Sequence, residues 1–368
     1  MVHGYFRNHG CRHLEFELLG YRTVTLENDV VRVTVIADLG ARLYELLHKP
    51  SDTDVLWRWH RGLRPKDYVA STPNPRGSFQ DHFAGGWNEL FPSYRFPSFG
   101  GPVEMGGLPI GYHGEVACVP WEYVLERDDP EEVAIRFEVR TVRTPFRLTR
   151  TMRLRHGRPT LFISETATNE GGIDVPFVWG HHPDLGAPFL DRDCVVDTGA
   201  TRVAAYRQDA YRMGRVAAED QEGHWPHLKG RDGAMVDLSR VLGPDARVSD
   251  CFYLTEFADP AWAAVTNRRT GIGVGLAWSR SIMPHALVWQ GFGGDEIAPW
   301  WGSAYTLCVE PLSSYPMDYE TAVRQGTALR LGPGESLPFE MVASVYAGTG
   351  RVQGMTADGT VIRADRVR

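Results

Sequence analysis

The chain is a succession of short runs in which apolar and polar residues alternate, each closed by turn-forming residues. It carries no amphipathic helical period sustained for a dozen residues. That pattern restricts the fold more than any other feature, because alternation puts successive side chains on opposite faces of an extended strand. Val24 to Glu27 and Val30 to Ile36 flank the turn pair Asn28-Asp29. In the second run Val31, Val33 and Val35 share one face, while Arg32 and Thr34 take the other. Gly40-Ala41-Arg42-Leu43 leads to Leu46 as a further strand would. Glu131 to Arg140, Phe146 to Leu154, Leu161 to Thr168 and Ile173 to Trp179 continue the series. Ala187 to Gly243 is loop-rich. Beyond it come Val248 to Glu256, a hairpin of Trp262 to Thr266 with Gly271 to Trp278, then Ala286 to Gln290, Ala304 to Glu310 and Leu337 to Tyr346. Tyr319 to Gln325 reads as one short helix closed by Gly326. Many strands joined by turns predict an all-β fold, a large antiparallel β-sandwich.

A length of 368 residues suits one large sandwich as well as two smaller domains. The expected organisation is an N-terminal arm over 1–20, a sandwich domain over 21–347, and a C-terminal hairpin or tail over 348–368. The formal net charge of -7 disfavours nucleic acid or an anionic membrane as partner. No run of about 18 apolar residues predicts a membrane span, and Met1 to Gly20 has no apolar core of the signal-peptide kind. Five scattered cysteines without a C-x-x-C pair predict a reduced, cytoplasmic protein with no thiolate metal site. The 11 tryptophans are many for the length. Most belong in a core, but flat aromatic faces also line sugar clefts.

Two strand ends carry the chemistry. Val175 to Trp179 runs into Gly180-His181-His182-Pro183, where proline, lacking an N–H, is expected to stop the strand. A histidine there either caps the strand or reaches a cleft and moves protons near neutral pH. Glu310 likewise stands before Pro311 at the end of Tyr305 to Val309. A buried carboxylate has its pKa raised toward neutrality, which suits a base. Neighbours on a strand point to opposite faces, so His181 and His182 do not share a metal ion. Gly85-Gly86-Trp87-Asn88-Glu89 is read either as a tight turn over a buried Trp or as a flat face with polar groups. Arg42 is either a surface charge or a cleft residue.

Four motifs, in order along the chain, resemble those of the aldose 1-epimerase (galactose mutarotase-like) family, and the resemblance spans residues 21 to 347. His113-Gly114 with Trp121 downstream resembles the family's His-Gly segment. His182-Pro183 resembles its His-Pro-Tyr segment. Asp250-Cys251-Phe252-Tyr253-Leu254 resembles its Asp-x-Cys-Phe-x-Leu segment. Cys308-Val309-Glu310-Pro311, with Leu331-Gly332-Pro333-Gly334-Glu335 later, resembles its catalytic-Glu segment and tail. The resemblance implies a galactose mutarotase-like supersandwich and a mutarotase that interconverts the anomers of an aldose without cofactor or metal. Glu310 would be the base and His182 the acid. His113 and Asp250 would bind the sugar; beside what the resemblance implies, Asn88, Arg42 and Gln290 are further expected sugar-binding residues, with Trp87, Trp179 or Trp300 as an apolar platform. The expected partner is a small-molecule sugar, and the expected state a monomer or homodimer. Asp184-Leu185 stands where the family often has Tyr-Phe-Asn-Leu, which places the chain on a divergent branch.

Two other readings stand beside this one. The same sandwich serves as a non-catalytic carbohydrate-binding or regulatory module. An epimerase for a phosphorylated or acidic sugar would draw arginines into the cleft from among Arg42, Arg58, Arg64, Arg76 and Arg95.

Overall fold

A computed structural model describes residues 7–69, 79–94, 103–205, 216–218, 220–296 and 298–364. Within them the alternating runs form two large antiparallel sheets packed face to face. The larger has 12 strands among the described residues. From one edge its order is Arg12–Leu18, Tyr21–Glu27, Val31–Ile36, Arg42–His48, Trp87–Leu90, Gly180–Leu185, Tyr305–Leu312, His285–Phe292, Val248–Phe257, Ala200–Ala205 and Glu222–His224, with Thr53–Asp54 added beside Arg42–His48. The second sheet runs Cys194–Thr198, Ala261–Asn267, Ile272–Trp278, Ser336–Ala347, Thr160–Asn169, Phe146–Arg155, Glu132–Arg140 and Glu122–Asp128. The all-β sandwich expected from alternation is the fold the chain adopts.

Period two decides what lies between the sheets. Val33, Val35, Leu43, Val288 and Val309 of the larger sheet meet Ile135, Leu148, Ile163, Val274 and Met341 of the smaller one in a continuous core. Each such side chain contributes about 1.5–3 kcal/mol when fully buried. The outer face of the larger sheet carries a second apolar layer, which includes Trp57, Trp59, Phe79, Phe83, Trp289 and Trp300. That layer is supplied by the long connection after Thr53–Asp54 and by segments near residues 111 and 300. On the far side, the hairpin Val352–Met355 with Val361–Arg363 covers Trp262 and Tyr346. The helix Tyr319–Gln325 is capped by Asp318, which accepts from the Thr321 N–H, and closed by Gly326 at φ 73°. No helix among the described residues is long and apolar enough to cross a membrane.

Both prolines expected to end strands lie inside them. Gly180–Leu185 continues through Pro183, and Tyr305–Leu312 continues through Pro311. Gly180–Leu185 pairs with Tyr305–Leu312 at Gly180, Asp184 and Leu185 but skips 181–183. The missing N–H of Pro183 therefore falls where that ladder is open. His182 sits in mid-sheet, not at a sheet end.

Candidate active site

The register lines up one row of side chains across the outer face. Leu43 pairs with Trp87, so one step along the antiparallel register Arg42 stands opposite Asn88. Asn88 pairs with His182. The pairs Gly180 with Leu312 and Asp184 with Cys308 bracket His182 opposite Glu310. Glu310 pairs with Leu287, and Leu287 with Tyr253. The row therefore reads Arg42, Asn88, His182, Glu310. Asp184, two residues from His182 and so on the same face, begins a second row with Cys308.

His182 is held between two carboxylates. Its Nδ1 lies 3.1 Å from Asp184 Oδ1, and its Nε2 lies 3.5 Å from Glu310 Oε1. The Cys308 thiol donates to Asp184 Oδ1 at 2.7 Å. Burial disfavours the charged imidazole, but the charges of Asp184 and Glu310 outweigh it and raise the His182 pKa to about 9. Burial raises the Glu310 pKa to about 7, opposed by His182 and reinforced by Asp184. Between those values the ring is protonated and the Glu310 carboxylate ionised. His113, buried and facing a charged His182, has its pKa driven well below the usual value, so its ring is neutral.

Several polar atoms beside this pair are buried and have no hydrogen-bond partner among the described residues. They are Glu310 Oε2, both amide atoms of Asn88, and His113 Nδ1. Unmet buried polar atoms cost about 1–3 kcal/mol each, a cost that a water or a polar ligand beside them would relieve. His113 has φ 63°, a backbone region that side-chain-bearing residues seldom adopt. Gly114 follows at φ 89°, and a Cβ there would lie 2.1 Å from the Phe91 carbonyl oxygen. This turn brings the His113 ring within 5.2 Å of the His182 ring, centre to centre. Phe83 and Trp289 stand edge-on to His182 at 6.4 and 6.1 Å, and Trp300 touches both at 5.4 and 5.5 Å.

The structure brings together His182, Glu310, His113, Asn88 and Arg42, with Trp300 in the aromatic wall. It does not bring in Trp87, Trp179, Asp250 or Gln290. Trp87 alternates with Asn88 and points between the sheets, where its Nε1 donates to His181 Nδ1 at 3.2 Å. Trp179 is also interior and donates to Glu89. Asp250 and Gln290 pair with each other beside Cys251 and Trp289, so they too face inward. There Asp250 accepts from the Val216 and Ala217 N–H groups, and Gln290 donates to the Leu238 carbonyl. In each case a shift of one residue reverses the face. Asp184, Phe83 and Trp289 were missed. For Asp184 the signal was present: it is two residues from His182 on the same strand.

The other face of the same strands holds a second polar cluster. His181 Nε2 lies 3.1 Å from Glu165, and its Nδ1 lies 3.4 Å from Glu89. Arg150 bridges both carboxylates and donates to the Ala41 carbonyl at 3.0 Å. Burial and the Glu165 charge raise the Glu89 pKa, while Arg150 and His181 hold Glu165 ionised against burial.

Among the described residues two triads gather donor atoms within 4.8 Å, His182-Asp184-Cys308 and Glu89-Glu165-His181. Neither suits a cation. Burial and neighbouring carboxylates push the Cys308 pKa well up, which keeps its thiol protonated, and Arg150 already supplies the positive charge of the second.

Residues 19–345 match a family model described as a domain of unknown function, DUF4432. No curated protein matches the chain. Among solved structures, the fold is shared with a candidate aldose 1-epimerase from Klebsiella pneumoniae at TM-score 0.71 and 16% identity, covering 92% of this chain and 88% of that one. It is also shared with a galactose mutarotase-like protein from Clostridium acetobutylicum at TM-score 0.62 and 15% identity, covering 92% and 99%. A galactose mutarotase related enzyme from Lactobacillus acidophilus matches at TM-score 0.57 and 14% identity, covering 93% and 100%. At these identities the likeness establishes the galactose mutarotase-like fold.

Proposed function

The chain belongs to the DUF4432 family, and from that premise and the geometry of the outer face we propose that it is an aldose 1-epimerase acting by acid–base ring opening and closure. The observation that carries this is the buried His182–Glu310 pair, 3.5 Å apart, with the acid protonated and the base ionised between about pH 7 and 9. A cyclic aldose has two oxygens on its anomeric carbon, the hydroxyl and the ring oxygen. An acid and a base this close serve two oxygens on one carbon.

The Glu310 carboxylate takes the hydroxyl proton as the C1–O1 bond becomes a carbonyl. The C1–ring-oxygen bond breaks, and its electron pair receives the proton from His182 Nε2. The open aldehyde rotates about C1–C2. Neutral His182 then removes the proton from the former ring oxygen as it attacks either face of the carbonyl, and Glu310 returns its proton to O1. Each positioned transfer supplies about 10² to 10⁴ in rate. Asp184 keeps Nδ1 engaged, so that Nε2 faces Glu310. The unpartnered groups of Asn88 and His113 suit sugar hydroxyls, and Phe83, Trp289 and Trp300 supply an apolar wall.

Saturation-transfer NMR of anomer exchange tests this reading, using catalytic amounts of protein with neutral and acidic aldoses. Faster exchange of at least one sugar is expected. Binding without acceleration across the panel would instead make the protein a carbohydrate-binding module.

A further inference from the structure

Arg42 is the member of the outer-face row that the proposed reaction leaves without a task. It stands two strands from His182, about 10 Å at the usual strand spacing. Its side chain is fully buried. Nη1 donates to the His82 carbonyl at 3.0 Å, whereas Nε and Nη2 have no hydrogen-bond partner among the described residues. These two nitrogens form the side-on edge of the guanidinium. Their N–H groups point the same way and match the two oxygens of one carboxylate. With Nη1 tethered, that edge is held in place. Gly86 leaves space for the arginine stem, since a Cβ there would lie 2.5 Å from the Leu43 carbonyl oxygen and 3.4 Å from Arg42 Cγ. The guanidinium carbon lies 5.9 Å from the centre of the Phe83 ring, the same ring that His182 meets edge-on at 6.4 Å. Burial disfavours the Arg42 cation, and the carboxylate among the described residues whose charge reaches it, Asp184, is already engaged by His182 at 3.1 Å. Arg150, the other buried arginine among the described residues, sits between two carboxylates.

We infer that the substrate is a hexuronic acid, its C6 carboxylate gripped by the Nε and Nη2 edge of Arg42 while His182 and Glu310 act at the anomeric centre. This rests on the epimerase reading for the chemistry, but not for the grip. The order of groups agrees. Along the row stand Arg42, Asn88, His182 and Glu310. Along a hexuronate stand the carboxylate on C5, the ring oxygen bonded to C5, and the anomeric hydroxyl on C1. The carboxylate therefore falls on the acid side, away from the base, where Arg42 is. One guanidinium balances one negative charge, whereas a phosphate monoester carries about −1.5 to −2 at neutral pH. Of the other candidate arginines, the two that are described are engaged elsewhere. Arg58 is spent on Asp54 at 2.8 Å, and Arg64 lies over Tyr68 at 5.6 Å. Arg76 and Arg95 lie outside the described residues.

The experiment compares anomer exchange of galacturonate and glucuronate with that of galactose, glucose and their 6-phosphates, in the intact protein and in Arg42→Met and Arg42→Lys. A uronate is expected to exceed its parent hexose in kcat/KM by about 10- to 100-fold, the worth of a charge-assisted bidentate contact. Both variants should lose that preference, because lysine keeps the charge but not the fork. Equal rates for hexose and uronate, preference for a 6-phosphate, or a uronate preference that survives in a folded Arg42→Met would overturn the inference and leave the epimerase reading intact. If no sugar is exchanged, the epimerase reading fails, and calorimetric titration with the two uronates decides the grip. Binding weakened tenfold or more by Arg42→Met supports it; no binding, or equal binding, overturns it. Should Arg42→Met fail to fold, the ranking of sugars by the unaltered protein remains decisive.

Discussion

His181 and His182 are neighbours in sequence, both buried, and both flanked by two carboxylates, yet they belong to different kinds of place. His181 points between the sheets, where Arg150 bridges Glu89 and Glu165 and balances the charges around it, although His181 Nε2 and Glu165 Oε2, 3.1 Å apart, are not aligned as a hydrogen bond. His182 points outward, where among the described residues no arginine pairs with Asp184 or Glu310 and polar atoms of Glu310, Asn88, His113 and Arg42 lack partners. Burial alone does not separate them. The balance of charge does: an arginine between two carboxylates closes the inner cluster and ties two sheets together, and among the described residues none does so for Asp184 and Glu310.

Substitutions should divide along the same line. The largest effect belongs to the outer pair. Glu310→Gln and His182→Asn should each cut anomer exchange by about 10² to 10⁴ while the thermal melting point stays close to that of the unaltered protein. Near-normal exchange in either would end the proposed mechanism. The inner cluster should behave in the opposite way. Arg150→Met or Glu165→Gln leaves an uncompensated buried charge, which typically costs about 3–5 kcal/mol. Urea denaturation should register that loss, while exchange per folded molecule falls only a fewfold. A stable variant that has lost its activity would erase the distinction between the two clusters.

A smaller effect sharpens the comparison. The pH profile of kcat/KM should be bell-shaped, with an acid limb near 7 where Glu310 becomes protonated and an alkaline limb near 9 where His182 loses its proton. The Asp184 charge raises both pKa values, so Asp184→Asn should move both limbs to lower pH and reduce the maximum about tenfold. An unmoved alkaline limb would leave Asp184 with a structural role only.

Much of this was legible beforehand. Alternation in Val31 to Ile36 or Phe146 to Leu154 names both strand and buried face, because period two is a local property. His182, Glu310 and His113 could be picked out because each sits in a motif with chemical meaning. Asp184 could have been, being two residues from His182. Trp87, Trp179, Asp250 and Gln290 were misplaced because a motif names a segment but not a face, and a single residue of register separates cleft from core.

By itself, then, the sequence determined the strands, their alternation and the acid–base types available. The tertiary structure alone decided that Arg42, Asn88, His182 and Glu310 stand in one row, since that depends on pairing among strands up to some 270 residues apart (Arg42 to Glu310 spans 310 − 42 = 268). It also decided the proton affinities of His182 and Glu310. Those follow from burial and from charges brought close by neighbouring strands, neither of which a single stretch of chain contains.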